Sequence, residues 1–391
     1  MVFLDVHAIQ SVPPANINRD ENGSPKTALY GGARRLRVSS QAWKRAARKE
    51  LERASAGFQE SQRTKRLPEK LEAEITALAP HLADRAGEIA ETAVKELFKV
   101  KTKAGKNGKR PTTEYLLFLG DEQRRRVAEL LVGAEEKVLG AVGDAKRFEK
   151  AAKELGLREA IDGGHPPAVA LFGRMIATDP ELNVDAACQV AHAISTHAVE
   201  AQFDYYTAVD DAAQDADETG AGMIGSIEFN AATMYRYAAV DLESLVRNLD
   251  GDRGFAAEAA TAFARAFLLS MPTGKRTTFA NNTRPDYVLL SIRDDQPVSL
   301  AGAFERPVTA ENDDGDLLGY TARSVRRLVD YHAAQDEQYG SAPDTVATAS
   351  PDWVAEAVGG GLRVPAEPVP LPKALDRVRG RLAELIGGGD G

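Results

Sequence analysis

A long helical stretch separates strand-like segments that lie far apart in this sequence. At the start of the chain Val2, Leu4, Val6 and Ala8 alternate with Phe3, Asp5, His7 and Ile9, the period of two expected of a strand with one buried face. From about Gln59 to Gly156 the chain is rich in Ala, Glu, Leu and Lys, which predicts helices interrupted by a loop at 101–111. Further strands are predicted at 224–229, 234–240 and 286–293. Strands from distant segments with helices between them indicate an α+β fold with inserted lobes.

The remaining chain divides into helices and linkers. Helices are expected near 241–248, 255–271 and 374–386, and segment 185–197 has the pattern of a buried helix in which Cys188 is a small packed hydrophobe. Segments 341–352 and 359–372 are rich in small residues and proline, which is typical of surface linkers.

The composition excludes several classes of protein. A single cysteine cannot form an internal disulfide and cannot build a thiolate zinc site. The chain shows no signal-peptide pattern and no apolar run long enough to span a bilayer, so we expect a cytoplasmic protein without a membrane partner.

Residues 33–49 carry seven basic side chains and no acidic one, although the whole chain has a formal charge of −9. Such a segment attracts a polyanion by releasing its condensed counterions, and this attraction is insensitive to base sequence. It therefore points to a phosphate backbone. On charge alone, a solvated helix face explains the segment equally well.

The local sequence favours phosphate binding. Ser39 and Ser40 stand where an N-cap belongs and open a helix predicted to end near Ala56, and the amides at a helix start bind phosphate. The side of this helix expected to face the core comprises Trp43, Ala46, Ala47 and Leu51. The other side presents i,i+4 pairs of cations, Lys44 with Arg48 and Arg45 with Lys49.

Two further groups of cations are candidates. Segment 271–278 ends like a phosphate-binding loop, but Leu269 stands where that motif requires glycine, so we expect no nucleoside-triphosphate site, while Lys275 and Arg276 remain able to contact phosphate. A predicted helix face comprises Lys146, Arg147, Lys150 and Lys153, for which a solvated surface is the simpler explanation on spacing alone. The lysine-rich segment 95–110 forms another cationic patch.

Metal sites are not favoured by the spacing of ligands. His192 and His197 lie five residues apart, whereas two histidines on one helix face need four, so we expect structural or partner-contacting roles. The acidic residues Asp210, Asp211, Asp215, Asp217 and Glu218 have no fixed ligand spacing and suggest a solvated loop. The aromatic residues of 203–206 fit base stacking and core packing equally well.

Ordered motifs across residues 4–306 resemble a known family. They include Leu4-Asp5-Val6-His7, Asn18-Arg19-Asp20, Gly31-Gly32, Arg37-Val38-Ser39-Ser40-Gln41, Lys44-Arg45-Ala46, Gly173-Arg174-Met175, Ala191 to His197, Tyr206 to Asp211, Tyr235-Arg236-Tyr237-Ala238 and Pro272-Thr273-Gly274-Lys275. In this order and spacing they are similar to the CasC family, the guide-RNA backbone subunit of the type I-E CRISPR Cascade surveillance complex.

The resemblance implies a hand-shaped α+β protein. Its expected parts are an RRM-like (ferredoxin-like) palm, an inserted helical fingers lobe and a thumb β-hairpin. The corresponding ranges are 1–58 for the first part of the palm, 59–180 for the fingers, 181–198 for a palm helix, 199–227 for the thumb and 228–391 for the rest of the palm.

The resemblance also implies partners and contact residues. Expected partners are CRISPR RNA (crRNA), the target DNA strand, further copies of the chain, six in the family, and other Cascade subunits. The residues expected to contact RNA are Arg19, Lys26, Ser39, Ser40, Gln41, Lys44, Arg45, Arg48, Lys49, Met175, Tyr206, Lys275 and Arg276. Met175 and Tyr206 are the expected apolar wedges, and the face formed by Lys146, Arg147, Lys150 and Lys153 is expected to contact target DNA.

We expect a non-catalytic subunit that needs neither cofactor nor metal and protects the guide while presenting its bases for pairing in antiviral defence. The alternative is a metal-dependent ribonuclease that cuts target RNA at the thumb, because related backbone subunits use a thumb aspartate and Asp210 and Asp211 lie there.

Overall fold

The computed structural model describes residues 1–54, 58, 60–105, 110–208, 223–311, 319–349, 351–354, 365–366 and 368–387. The strands in chain order are β1 Phe3–Ala15, β2 Thr27–Tyr30, β3 Ala33–Val38, β4 Ser61–Thr64, β5 Thr102–Lys103, β6 Thr112–Thr113, β7 Leu117–Gly120, β8 Cys188–Val190, β9 Ala193–Ser195, β10 Gln202–Ala208, β11 Met223–Asp241, β12 Tyr287–Arg293 and β13 Asp344–Ala349. The α-helices are α1 Ser40–Ala54, α2 Leu67–Leu78, α3 Ala83–Phe98, α4 Asp121–Gly133, α5 Glu135–Leu139, α6 Ala145–Glu154, α7 Glu159–Asp162, α8 Pro167–Phe172, α9 Leu242–Asn248, α10 Arg253–Leu269, α11 Arg276–Phe279, α12 Tyr320–Tyr339 and α13 Leu371–Gly387. Short 3-10 helices lie at Pro80–Leu82, Pro180–Leu182 and Leu300–Phe304.

The chain forms two compact units. The sheet unit comprises residues 1–50, 189–240 and 261–391, and the helical unit comprises residues 51–188 and 241–260. The fold is therefore α+β, as predicted. The helical unit is larger than the predicted insertion of 59–180, because it starts within α1 and also takes in α9 and the first part of α10.

The sheet unit is built on the strand order β13, β12, β1, β11, β9, β3, β2. Pairing is antiparallel between β1 and β12, with Val6 opposite Leu290, and between β12 and β13, with Leu290 opposite Val346. On the other side of β11, β9 pairs antiparallel with both β11 and β3. The strands predicted at the two ends of the chain thus lie beside each other in one sheet.

Helices cover both faces of this sheet. On β11, Arg236 points to the side of α1 and α10, with its guanidinium carbon 3.8 Å from the centre of the Trp43 ring and 4.5 Å from that of Phe267. The neighbouring Tyr235 and Tyr237 point to the opposite side, where they join the core formed with the 300–304 helix and α12. As a consequence residues 3–10 of β1 are all buried, and the prediction that only one face of this strand is buried was wrong.

Several predicted elements differ from the structure. Segments 224–229 and 234–240 belong to the single strand β11. Residues 185–197, predicted as a buried helix and as the palm helix of 181–198, instead contribute β8 and β9, because Ile194 pairs with Arg37 and Tyr235 on its two sides. Cys188 is buried, as predicted. The predicted linker 341–352 contains edge strand β13, and α12 was not predicted.

The helical unit has its own hydrophobic core, formed mainly by α2, α3, α4 and α6. Its helices bury one side each, such as Ile89, Ala93 and Leu97 on α3, which is the pattern of an amphipathic helix. Two small antiparallel ribbons, β4 with β7 and β5 with β6, lie in a stretch predicted to be helix and loop. None of the helices described combines the length and hydropathy that a membrane crossing requires.

Candidate nucleic-acid interface

The start of α1 is fixed by hydrogen bonds of Ser39 and Asn18. Ser39 is the N-cap, because its carbonyl and its hydroxyl oxygen both accept from the Ala42 amide, at 3.0 Å and 3.4 Å. The Ser39 amide donates to Oδ1 of Asn18 at 2.8 Å. The helix then runs to Ala54, close to its predicted end at Ala56. Asn18 therefore attaches the end of the β1 segment to the first turn of α1.

Asn18 also positions the basic residues on either side of it. Its carbonyl accepts from the Lys26 amide at 2.9 Å, and the Lys26 carbonyl accepts from the Arg37 amide at 2.8 Å. Arg19 follows directly in the chain and is exposed. Arg19 and Lys26 thus lie beside the start of α1.

Gly274 brings the segment of Lys275 and Arg276 to the same place. A Cβ on Gly274 would lie 2.5 Å from the Ile17 carbonyl oxygen and 3.0 Å from that of Asn16, so only glycine fits this approach. Gly274 and Arg19 line one open cleft of about 480 Å³. The structure therefore brings together sequence-predicted residues from three segments, namely Arg19, Lys26, Ser39, Ser40, Gln41, Lys275 and Arg276.

The two sides of α1 differ as predicted. Trp43, Ala47 and Leu51 are buried, while Ala46 is only half-buried. On the other side Gln41, Arg45 and Lys49 are exposed, and Lys44 and Arg48 are half-buried. The basic side chains thus extend the cluster at the start of α1 by about two helical turns.

His192 adds a neutral partner to this cationic surface. Its Nδ1 lies 3.1 Å from Nη1 of Arg37. Burial lowers the pKa of His192, and the positive charges of Arg37 and Lys26 lower it further. The imidazole can therefore accept a hydrogen bond from Arg37 without adding to the local charge. Neither Arg37 nor His192 was among the residues predicted to contact RNA.

One basic residue of segment 33–49 is structural. Arg35 is fully buried, and its guanidinium donates to the carbonyls of Ser195, Thr196, Phe304 and Glu305 at 2.8–3.1 Å. It holds the sheet edge to the segment before α12 and cannot contact a bound strand. The exposed Arg34 remains available on the surface.

The predicted wedge residues lie outside this cluster. Met175 belongs to the helical unit and is 80% exposed, on a turn held by the backbone hydrogen bonds between Arg174 and Val184. Tyr206 lies on β10, where its ring covers Gly225 of β11 and is 37% exposed. On the other face of β10, Phe203 and Tyr205 are far more exposed, at 70% and 65%. Because side chains alternate between the two faces of a strand, the sequence could have predicted that Tyr206 faces away from Phe203 and Tyr205.

The cations predicted to contact DNA share one face of α6. Lys146, Arg147, Lys150 and Lys153 are all exposed, while Phe148 and Ala151 are buried. Two of them have acidic neighbours, Arg147 with Asp144 at 3.4 Å and Lys150 with Glu154 at 4.0 Å. Such exposed pairs are weak and leave the face cationic.

The lysine-rich segment 95–110 is partly neutralised. Lys95 pairs with Glu91 at 2.7 Å, Lys99 with Asp179 at 3.5 Å, and Arg110 with Glu72. Lys106 and Lys109 lie outside the described residues.

The candidate metal ligands give no assembled site in the part of the chain that the structure describes. His197 is structural, because its ring stacks on Tyr320 at 3.8 Å and its Nε2 accepts from the Thr233 amide at 3.2 Å. Asp210, Asp211, Asp215, Asp217 and Glu218 lie outside the described residues.

Comparisons with known proteins agree on one group. The family described as CT1975-like protein matches residues 4–363. A solved structure titled "CRISPR RNA-guided surveillance complex, pre-nicking" contains a chain with 31% identity and a TM-score of 0.80, and the match covers 97% of this chain and 99% of that chain. A second, titled "CRISPR RNA-guided surveillance complex", has 27% identity and a TM-score of 0.71 with the same coverage. No curated protein matches the sequence.

Proposed function

Since the chain belongs to the family of CT1975-like proteins, the CasC-like backbone subunits of CRISPR surveillance complexes, we propose that it binds the sugar-phosphate backbone of a crRNA along α1. The observation that carries this proposal is the hydrogen bond from the Ser39 amide to Asn18, because it brings Arg19 and Lys26 to a capped helix start. Backbone amides at a helix N-terminus and side-chain cations both favour phosphate oxygens.

Contacts of this kind carry no sequence information. Lys44, Arg45, Arg48 and Lys49 form charge-assisted hydrogen bonds to phosphate and leave the base edges free. A subunit that ignores the bases can present any guide sequence for pairing with target DNA. We therefore propose a non-catalytic role in a type I-E Cascade, with several copies arranged along one crRNA and other Cascade subunits as partners.

The other predicted residues have separate roles in this proposal. The sheet unit is the RRM-like palm, the helical unit the fingers, and the hairpin of β10 and β11 the thumb. Met175 and Tyr206 act as apolar wedges against bases, and the cations of α6 contact the target strand. The expected cytoplasmic location stays a prediction.

The RNA assignment is tested with the double variant Lys44→Glu/Arg45→Glu. The matched control is Lys373→Glu/Arg377→Glu, which reverses the same number of charges on exposed positions of α13. RNA that co-purifies with each protein is quantified and sequenced. We expect the control to retain short RNA of heterogeneous sequence and the α1 variant to lose most of it. Equal RNA retention in both variants would contradict the proposal.

Catalysis is tested on the same preparation. The assembled protein is incubated with magnesium and an RNA complementary to its guide. We expect the RNA to stay intact. Cleavage at regular intervals that is lost in Asp210→Asn/Asp211→Asn would favour the ribonuclease instead.

A further inference from the structure

A second group of arginines lies on the α12 side of the sheet. Arg323, Arg326 and Arg327 have the spacing i, i+3, i+4 on α12 and face Arg306 across a cavity of about 580 Å³. We call this group the arginine pocket. Val325, Leu328 and Val329 of the same helix pack into the core beneath the sheet, so the arginines occupy the outer side of the helix. The pocket is therefore separated by the sheet from the cationic face of α1.

The hydrogen bonds of Arg323 and Arg327 hold the pocket together and leave most donors of these two guanidinium groups available. Arg323 donates to Oγ1 of Thr309 at 2.6 Å, and Arg327 donates to the Arg306 carbonyl at 2.7 Å. Each guanidinium has five N–H donors, and these bonds use only one of them. The pocket is also attached to the sheet edge, because Arg35 donates to the Phe304 and Glu305 carbonyls.

Among the residues that the structure describes, this pocket holds more positive than negative side chains. Two carboxylates line it, Glu305 and Asp330, against four guanidinium groups. Among the ion pairs of the described ranges, none involves Arg306, Arg323 or Arg327. Burial lowers the pKa of Arg327, and repulsion from the charges of Arg323 and Arg306 lowers it further. A bound anion would relieve this repulsion.

We propose that the arginine pocket is a second phosphate-binding site, which takes the backbone of a nucleic-acid strand other than the one on α1. Guanidinium groups on both sides of an open cavity suit a chain of phosphodiesters that passes through it. A protein partner would instead need an exposed apolar centre, whereas the apolar side chains of the lining, Ala303 and Val308, are buried and Tyr331 is half-buried.

The test uses the full chain with its co-purified RNA and, as probe, a fluorescent single-stranded DNA of mixed sequence that is not complementary to that RNA. Arg323→Ala/Arg327→Ala is compared with Arg377→Ala/Arg379→Ala, a matched pair on exposed positions of α13. We expect the pocket variant to bind the DNA at least about tenfold more weakly, a loss of about 1.4 kcal/mol. The slope of log affinity against log salt should fall by about 1.4, since each phosphate contact contributes about 0.7.

A second variant, Arg306→Ala/Arg326→Ala, removes the two exposed members of the pocket and guards against loss of folding, which is checked by thermal unfolding. It should weaken DNA binding in the same direction while the co-purified RNA stays unchanged. Unchanged DNA binding in both pocket variants would overturn the proposal. The proposal would also be overturned if both pocket variants changed self-association and not DNA binding, since the pocket would then be a contact between protein chains.

The proposal is separable from the function proposed for α1. The substitutions Arg323→Ala/Arg327→Ala are therefore also made in the background variant, a chain that already carries Lys44→Glu/Arg45→Glu and in which the α1 face is disabled. Any DNA binding that is lost on adding the two alanines is then due to the pocket. If the α1 proposal fails, the background variant still retains RNA. If the pocket proposal fails, the added substitutions change nothing.

Discussion

Two uncharged residues decide where the charged ones of the interface lie. The Asn18 side chain accepts from the Ser39 amide, and Gly274 lets its segment approach the Ile17 carbonyl. The cations could be predicted from sequence because charge pattern is local. The roles of Asn18 and Gly274 could not, because each depends on a segment that is distant in the chain.

Asn18→Ala should weaken both folding and RNA binding. Loss of the acceptor for the Ser39 amide costs about 1 kcal/mol of unfolding free energy and loosens the start of α1. Asn18→Asp keeps the acceptor, so its stability should stay close to that of the unchanged protein, but its negative charge should lower RNA affinity. Urea unfolding and filter binding measure the two effects. Full RNA affinity in Asn18→Asp would contradict this assignment.

Gly274→Ala should displace the segment of Lys275 and Arg276, because its Cβ would lie 2.5 Å from the Ile17 oxygen. We expect RNA affinity to fall by about threefold to tenfold and stability by about 1–3 kcal/mol. Gly133→Ala is the control, since a Cβ there meets nothing within 4 Å. It should be neutral in RNA filter binding and in urea unfolding. If Gly274→Ala also behaves like the unchanged protein, the close approach does not position these cations.

At the scale of elements, long-range pairing explains what sequence patterns missed. Segment 185–197 has a helical pattern, but Ile194 pairs with Arg37 and Tyr235, which lie far away in the chain, and the ladder they form replaces the helix. Edge strand β13 was predicted as a linker because its segment is rich in small residues, and only its pairing with the distant strand β12 makes it a strand. Helices α1, α9, α10 and α13 were predicted because their signals lie within each segment.

Trp43 should be essential for the position of α1. Its buried ring packs against the Arg236 guanidinium, 3.8 Å from the ring centre, and meets the Phe267 ring in an edge-on arrangement with the two ring centres 6.3 Å apart. Trp43→Ala should cost about 3–5 kcal/mol of unfolding free energy. It should also reduce RNA binding, because α1 would lose this packing contact with the sheet. Trp43→Phe keeps an aromatic face and should recover most of both. Urea unfolding decides this, and a loss below about 1 kcal/mol for Trp43→Ala would contradict it.

At the scale of the whole molecule, the sheet unit buries a network of titratable groups between the sheet and α12. Nδ1 of His7 lies 2.9 Å from the Tyr235 hydroxyl, and Asp5 accepts from the Tyr237 hydroxyl at 2.8 Å. Burial raises the pKa of Asp5 to about 6 and lowers the pKa of His7 well below its usual value. Burial also lowers the pKa of His332, against the opposing charge of Asp336.

Acid should therefore destabilise this unit. Below about pH 6.5 the unfolded chain binds protons at His7 and His332 more readily than the folded chain does, because burial lowers the pKa of both groups, so stability falls as the pH falls. Asp5 acts in the opposite direction below about pH 6, because the folded state then holds the extra proton. The lowered pKa values of His7 and His332, with those of His192 and His197 in the same unit, outweigh the raised pKa values of Asp5 and Asp286, and we expect a loss of about 1–2 kcal/mol of unfolding free energy between pH 7 and pH 5.

His7→Phe removes one of these titrating groups and should reduce this pH dependence. The measurement is urea unfolding of both proteins at pH 7 and pH 5. Stability that rises on acidification would show that Asp5 dominates and would refute the expected sign.

Strand β11 has a mechanical consequence. It runs without interruption from the hairpin with β10 into the centre of the sheet, a span of about 60 Å at about 3.3 Å per residue. A pull on the hairpin along this axis loads the ladder bonds of the central strands in shear, all at once, and cannot unzip them one by one. A force applied to the hairpin of β10 and β11 is therefore carried by the hydrogen bonds that β11 makes with its neighbours in the centre of the sheet.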